Sequence, residues 1–169
     1  MTTRRKGRES GLQILYQIEI LAQERNAAAN AVSGTTKSCN LASVSKAYAA
    51  DAIEDFFVHF EAPREVLDHA TSLVHGVLLN CERIDEIISR HSDKWKIERM
   101  AIVDRNVLRI ACYEFLFSQD LNPGIIIDEA VEVAKRFGSD KSAAFVNGIL
   151  DSIAAETRKN INSSRKSKS

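Results

Sequence analysis

Apolar residues recur at three- and four-residue intervals along most of the chain, and its only two prolines, Pro63 and Pro123, stand where a first helical turn can begin. The pattern predicts an all-α protein. A first helix is expected from about Thr3 to Ala22, with Thr2 or Thr3 as its cap and Gly11, Leu15, Ile18 and Ala22 on the stripe facing the core. From Asn26 to Ser45 the residues are small and polar, which predicts a long connection with no more than a loose turn in its alanines. Further helices are expected near Lys46–Phe60, Pro63–Asn80 and Glu82–His91, the second with Leu67, Ala70, Val74 and Val77 at helical spacing.

From about Met100 to Ser118 the apolar positions, Val103, Val107, Leu108, Ile110, Ala111, Phe115 and Leu116, go all round the wheel. That is the composition of a helix enclosed by others, so the fold class predicted is a single-domain bundle of about seven helices around a buried central one. Arg109 lies inside that helix and needs a carboxylate, with Glu129 the first choice and Glu114 the second. A following helix, about Ile125 to Phe137, stops at Gly138, read as a left-handed C-terminal residue; Ser139 or Asp140 then caps a last helix to about Thr157. Gly148 inside it costs about 1 kcal/mol relative to Ala, which predicts a close helix contact at that point.

Length and charge refine the picture. A chain of 169 residues makes one domain by the usual size range and needs neither disulfide, metal nor cofactor to be stable. The formal net charge of zero hides four basic side chains in residues 1–8 (Arg4, Arg5, Lys6, Arg8) and five in residues 158–169 (Arg158, Lys159, Arg165, Lys166, Lys168), with no acid at either end. Setting those nine aside leaves 14 basic groups against 23 acids in residues 9–157, a formal charge of −9 between two cationic ends. Such a molecule can serve two partners of opposite charge, although terminal cations also serve as solvated tails. Residues 159–169 are expected to be a basic, disordered tail after a domain spanning residues 1–158.

Enzymatic signatures are missing: no glycine-rich phosphate loop, dinucleotide fingerprint, nucleophile elbow or metal-ligand spacing occurs. Asp128, Glu129 and Glu132 crowd one short helix, and a favourable interaction with its dipole explains them better than a carboxylate pair at work. Cys39, Cys81 and Cys112 form no C-x-x-C pair and read as reduced thiols of a cytoplasmic protein. No apolar run approaches the roughly 20 residues that span a bilayer, and no signal-peptide h-region follows the charged start.

One constellation carries binding chemistry. At 100° per residue, Arg5, Arg8, Leu12 and Tyr16 fall within a strip of about 80° on the first helix, beside Arg4. Guanidinium groups fork onto phosphates and a tyrosine ring stacks on an unpaired base, so the strip suits single-stranded RNA; on this helix alone, Tyr16 at the edge of the core is an equally good reading.

Four sequence blocks bear on that choice: R-R-K-G-R-E-S-G-L-Q-I-L-Y from Arg4 to Tyr16, D-R-N-V-L-R-I-A-C-Y-E from Asp104 to Glu114, I-D-E-A-V-E-V-A-K-R-F-G from Ile127 to Gly138, and F-V-N-G-I-L-D from Phe145 to Asp151. In this order and spacing the chain resembles the NusB transcription antitermination family throughout, apart from about residues 25–45 and the tail. The resemblance implies that Arg4, Arg5, Lys6, Arg8, Gln13 and Tyr16 contact boxA-like RNA, together with the start of the last helix. There the family carries a lysine immediately before F-V-N-G, whereas this chain has Ala144, with Lys141 three positions earlier and Phe145 as a further RNA contact. It also implies an acidic surface for the ribosomal protein NusE, with Glu98 and Asp104 in the corresponding places.

The function so implied is non-enzymatic: an RNA-binding factor that grips boxA-like RNA in nascent ribosomal transcripts, recruits NusE and helps RNA polymerase resist termination. The same helical domain resembles the N-terminal module of certain ribosomal-RNA cytosine methyltransferases, and a purely protein-binding bundle is the third reading. Monomer and homodimer both stay open, as family members occur as either.

Overall fold

The computed structural model describes residues 2–33, 41, 46–118 and 121–166, with the backbone alone at 26, 28–33, 46–47 and 158–166. Every regular element among these residues is helical: α1 (Thr3–Ser33), α2 (Lys46–His59), α3 (Arg64–Leu79), α4 (Cys81–Arg90), a 3-10 turn (Ile97–Arg99), α5 (Ile102–Phe117), α6 (Pro123–Phe137) and α7 (Ser142–Lys166). The all-α, seven-helix expectation is met. Contacts divide the chain into two compact units, Met1–Glu82 and Arg83–Ser169, a boundary that the periodicity of the sequence did not reveal.

In the first unit α1 packs along α3, and α2 packs against both. Leu12, Ile14, Leu15 and Ile18 of α1 are buried, as are Ala70, Val74 and Val77 of α3. α1 continues through Ser33, beyond the end expected at Ala22. Alanine is the strongest helix former, so Ala27, Ala28, Ala29 and Ala31, where no more than a loose turn is expected, prolong it at little cost; the rest of the expected connection lies outside the described residues except Leu41, which is buried. Gly7 is where α1 meets α3: a Cβ at that position would run into the His69 ring.

In the second unit α5, α6 and α7 pack on one another. α5 is buried on all sides, as the all-round apolar pattern predicted, but its interior also holds Asp104, Arg105, Asn106, Arg109 and Glu114. The Arg109 fork closes on Asp85, with Nε to Oδ1 at 2.7 Å and Nη2 to Oδ2 at 2.8 Å, while Nη1 donates to Asn106 Oδ1 at 3.0 Å. The carboxylate in this fork comes from α4 and was not among those expected, because pairing follows the packing of helices and not nearness in the family blocks. Arg105 Nη1 donates to the Met100 carbonyl at 2.9 Å, so this charge too is satisfied within the unit.

The joint between α6 and α7 differs from expectation. Gly138 is extended (φ −95°, ψ −168°), not left-handed; what excludes a side chain is the approach of Ser142 and of the Ala134 carbonyl to its Cα. The Ser139 amide donates to Ser142 Oγ at 2.8 Å, and α7 begins at Ser142. Among the described residues an added Cβ at Gly148 would meet nothing within 4 Å, so the close contact expected there is not found among them. α7 runs on through Lys166, across the boundary expected at 158. Asp128, Glu129 and Glu132 lie beyond the first turn of α6, which holds no acid, so the dipole does not account for them; Glu132 pairs instead with Lys135 at 2.7 Å.

Candidate nucleic-acid interface

The first turn of α1 presents cations from a well-made cap. The Arg5 amide donates to Thr2 Oγ1 at 3.2 Å and the Lys6 amide to the Thr2 carbonyl at 3.1 Å. Arg4 and Lys6 are exposed and Arg5 is half-buried. The helix dipole adds partial positive charge in the same place, an arrangement that favours phosphate.

Residues 7–12 are then buried together, and the helix re-emerges at half-buried Gln13 and at Tyr16, which is 42 % exposed. Arg5, Lys6, Gln13 and Tyr16 share an arc of about 100°. Glu9 lies in the same arc but is nearly covered, so the cationic turn and the Gln13–Tyr16 pair are two patches separated by a buried turn. The strip expected from the sequence is redrawn accordingly: Leu12 and Arg8, at 2 % and 3 % exposure, belong to the interior.

Beneath this turn lies His69 of α3. Its Nε2 is buried without a hydrogen-bond partner among the described residues. Burial first, then the charges of Arg8 and Arg4, push its pKa down to about 4. A neutral ring at physiological pH lets the arginines gather there without a further like charge.

The remaining candidates belong to the second unit. Lys141 is exposed just before α7, and its carbonyl accepts from the Phe145 amide at 3.1 Å, one turn on. Phe145 is half-buried and meets Trp95 edge to face, with ring centroids 6.4 Å apart and planes at 82°. Ala144 is exposed, so the position where the resemblance calls for a lysine offers solvent only a methyl group. Asn147 is held by Asp151 at 2.8 Å. Of the two acids, Glu98 is exposed on the 3-10 turn, whereas Asp104 is buried and its Oδ1 has no hydrogen-bond partner among the described residues. Trp95 carried no motif in the sequence, and only its exposure and its ring contact single it out.

Cys81 and Cys112 are buried thiols, and burial pushes Cys112 up to about 12, with Asp85 adding to the effect; Cys39 lies outside the described residues. Among the described residues no cluster of His, Cys, Asp or Glu could hold a metal ion, and no helix is long and apolar enough to cross a membrane.

Against known proteins, the family model for the NusB family matches residues 5–155. The chain belongs to the NusB family. A curated relative from Geobacter sp. (strain M21), named transcription antitermination protein NusB, is 40 % identical over 92 % of this chain and 96 % of its own length. Among solved structures, T. maritima NusB shares 33 % identity with a TM-score of 0.70, covering 92 % of this chain and 93 % of that one. A structure of the antitermination factors NusB and NusE in complex with dsRNA has the same fold at 24 % identity and a TM-score of 0.62, covering 90 % of this chain and 96 % of that one. The NusB relatives are thus matched nearly end to end, and the fold and family implied by the four sequence blocks are established.

Proposed function

We propose that this chain is a cytoplasmic transcription antitermination factor that binds boxA-like RNA in nascent ribosomal transcripts together with NusE, as part of an antitermination complex on RNA polymerase. The observation that carries the reading is the capped first turn of α1, with Arg4 and Lys6 exposed, Arg5 half-buried and the Tyr16 ring 42 % exposed about three turns on. Arg4, Arg5 and Lys6 take phosphates, Gln13 bonds a base edge and Tyr16 stacks. Arg8, buried beside His69, acts from beneath as a positioning residue. Lys141 and Phe145 contribute from the second unit, and Glu98 meets basic NusE, with Asp104 behind it. NusE and RNA occur together in a solved complex of the same fold, which supports carrying both partners here.

The test is a titration of boxA-like RNA, a scrambled strand and a duplex, with and without NusE, at two salt concentrations. Tighter, sequence-dependent binding with NusE is expected. In the triple variant Arg4→Ala, Arg5→Ala, Lys6→Ala, affinity should fall more than about tenfold and the log–log salt slope should flatten by about 2, at roughly 0.7 per phosphate contact. Equal binding of all RNAs, or indifference to these three residues, would sink the reading. Sizing the free protein across the same concentrations shows whether a homodimer competes with RNA.

A further inference from the structure

Trp95, the only tryptophan of the chain, is 55 % exposed between α4 and the 3-10 turn. Its backbone is nevertheless pinned, and its ring has a partner. Its amide donates to the Ser92 carbonyl at 2.9 Å, Ser92 Oγ donates back to the Trp95 carbonyl at 3.0 Å, and Phe145 backs the indole edge to face. An aromatic face that is both open and preorganised stacks on a partner at little entropic cost.

The surroundings decide which partner. An open cavity of about 500 Å³ beside the ring is lined by Ser89, Ser92, Asp93, Lys96, Ile97 and Glu98. Core pockets of protein interfaces are depleted in charge, whereas this one offers hydroxyls, carboxylates and an ammonium around one ring, a set that suits a nucleotide. Lys94 and Lys96 are exposed on either side of the tryptophan, and Lys141 stands one turn before Phe145.

We infer that Trp95, backed by Phe145, is a base-stacking platform for one unpaired RNA nucleotide, with the neighbouring lysines on its phosphates and Asp93 accepting from the exocyclic amino group of the base. Because carboxylates accept from such amino groups, cytosine or adenine fits better than uracil. The inference rests on the RNA-binding reading above and adds to it Trp95, which lies outside the family blocks.

The sole tryptophan supplies the probe. Labelled boxA-like RNA is titrated with the full chain while RNA anisotropy and protein emission are followed together. Saturable quenching of Trp95 in step with anisotropy is expected, and it should weaken when the cytosines and adenines of the RNA are replaced by uracil. Trp95→Leu should lose about 5- to 150-fold in affinity, the range for one stacked base, while Trp95→Phe keeps most of it and both variants melt like the wild type. RNA binding with unchanged emission and an unimpaired Trp95→Leu would overturn the platform and leave the proposed function standing. Loss of NusE binding without loss of RNA binding in Trp95→Leu would overturn it in favour of a protein-docking surface. If no RNA raises the anisotropy of any form, the RNA-binding reading itself fails and the platform with it.

Discussion

Arginines at the start of α1 and arginines inside α5 look alike as sequence, each set within a helical pattern beside apolar residues, yet the two regions use them in opposite ways. In α1 the guanidinium of Arg4 is in water and that of Arg5 partly so. In α5 Arg105 and Arg109 are buried at 7 % and 2 % exposure and bond to Met100 and to Asp85 with Asn106. Arg8 of α1 belongs with the second group by burial, although it lies one turn from the first. A guanidinium in water, such as that of Arg4, can exchange hydration for a phosphate, whereas one held in the interior has already made that exchange with the protein, and removing it strands its partner.

The sharpest way to break this comparison is Arg109→Met. It leaves Asp85, only 18 % exposed, without its forked partner, and should cost about 3–5 kcal/mol in urea unfolding while RNA affinity per folded molecule holds. A loss below about 1 kcal/mol would mean that the pair is no strut. Arg8→Met tests the borderline case: stability should fall by about 2–4 kcal/mol, with the salt slope of RNA binding equal to that of wild type. A slope flatter by about 0.7 would return Arg8 to the phosphate contacts.

His69 gives a smaller, pH-dependent effect. Its folded pKa of about 4 lies below the ordinary 6.5, so between these values the unfolded chain binds a proton that the folded one refuses. Stability should therefore be full above about pH 6.5 and decline as pH falls towards 4. For a ring partly screened by solvent the loss is about 1–2 kcal/mol. Thermal melts across this range should show the slope in wild type and a flatter one in His69→Gln; identical slopes would remove His69 from beneath the cationic turn. The smallest effect belongs to Gly148→Ala. With open space where the Cβ would go, Ala should stabilise α7 by about 0.5–1 kcal/mol, and a destabilised variant would point to a neighbour that the added methyl disturbs.

Helix positions were largely legible in the sequence, since α2, α3 and α4 lie within a residue or two of where apolar spacing put them. The apolar spacing of α1 lapses after Ala22, and its extension to Ser33 rests on alanine propensity, which a polar reading of the segment undervalues. At the site, Arg4, Arg5, Lys6 and Tyr16 were visible because charge and aromatic character are properties of the residues themselves. Trp95 was not, because nothing in its neighbourhood along the chain marks it, and its ring partner Phe145 comes from 50 positions away.

The sequence by itself determined the helical class, the extent of most helices, the family and the cationic start of α1, all of which follow from local spacing and residue chemistry. Which arginine faces solvent, which carboxylate meets Arg109, why Gly138 admits no side chain and where Trp95 finds its backing ring were decided only by tertiary structure. Burial and pairing depend on what the other helices bring to a residue, and neighbours along the chain do not contain that information.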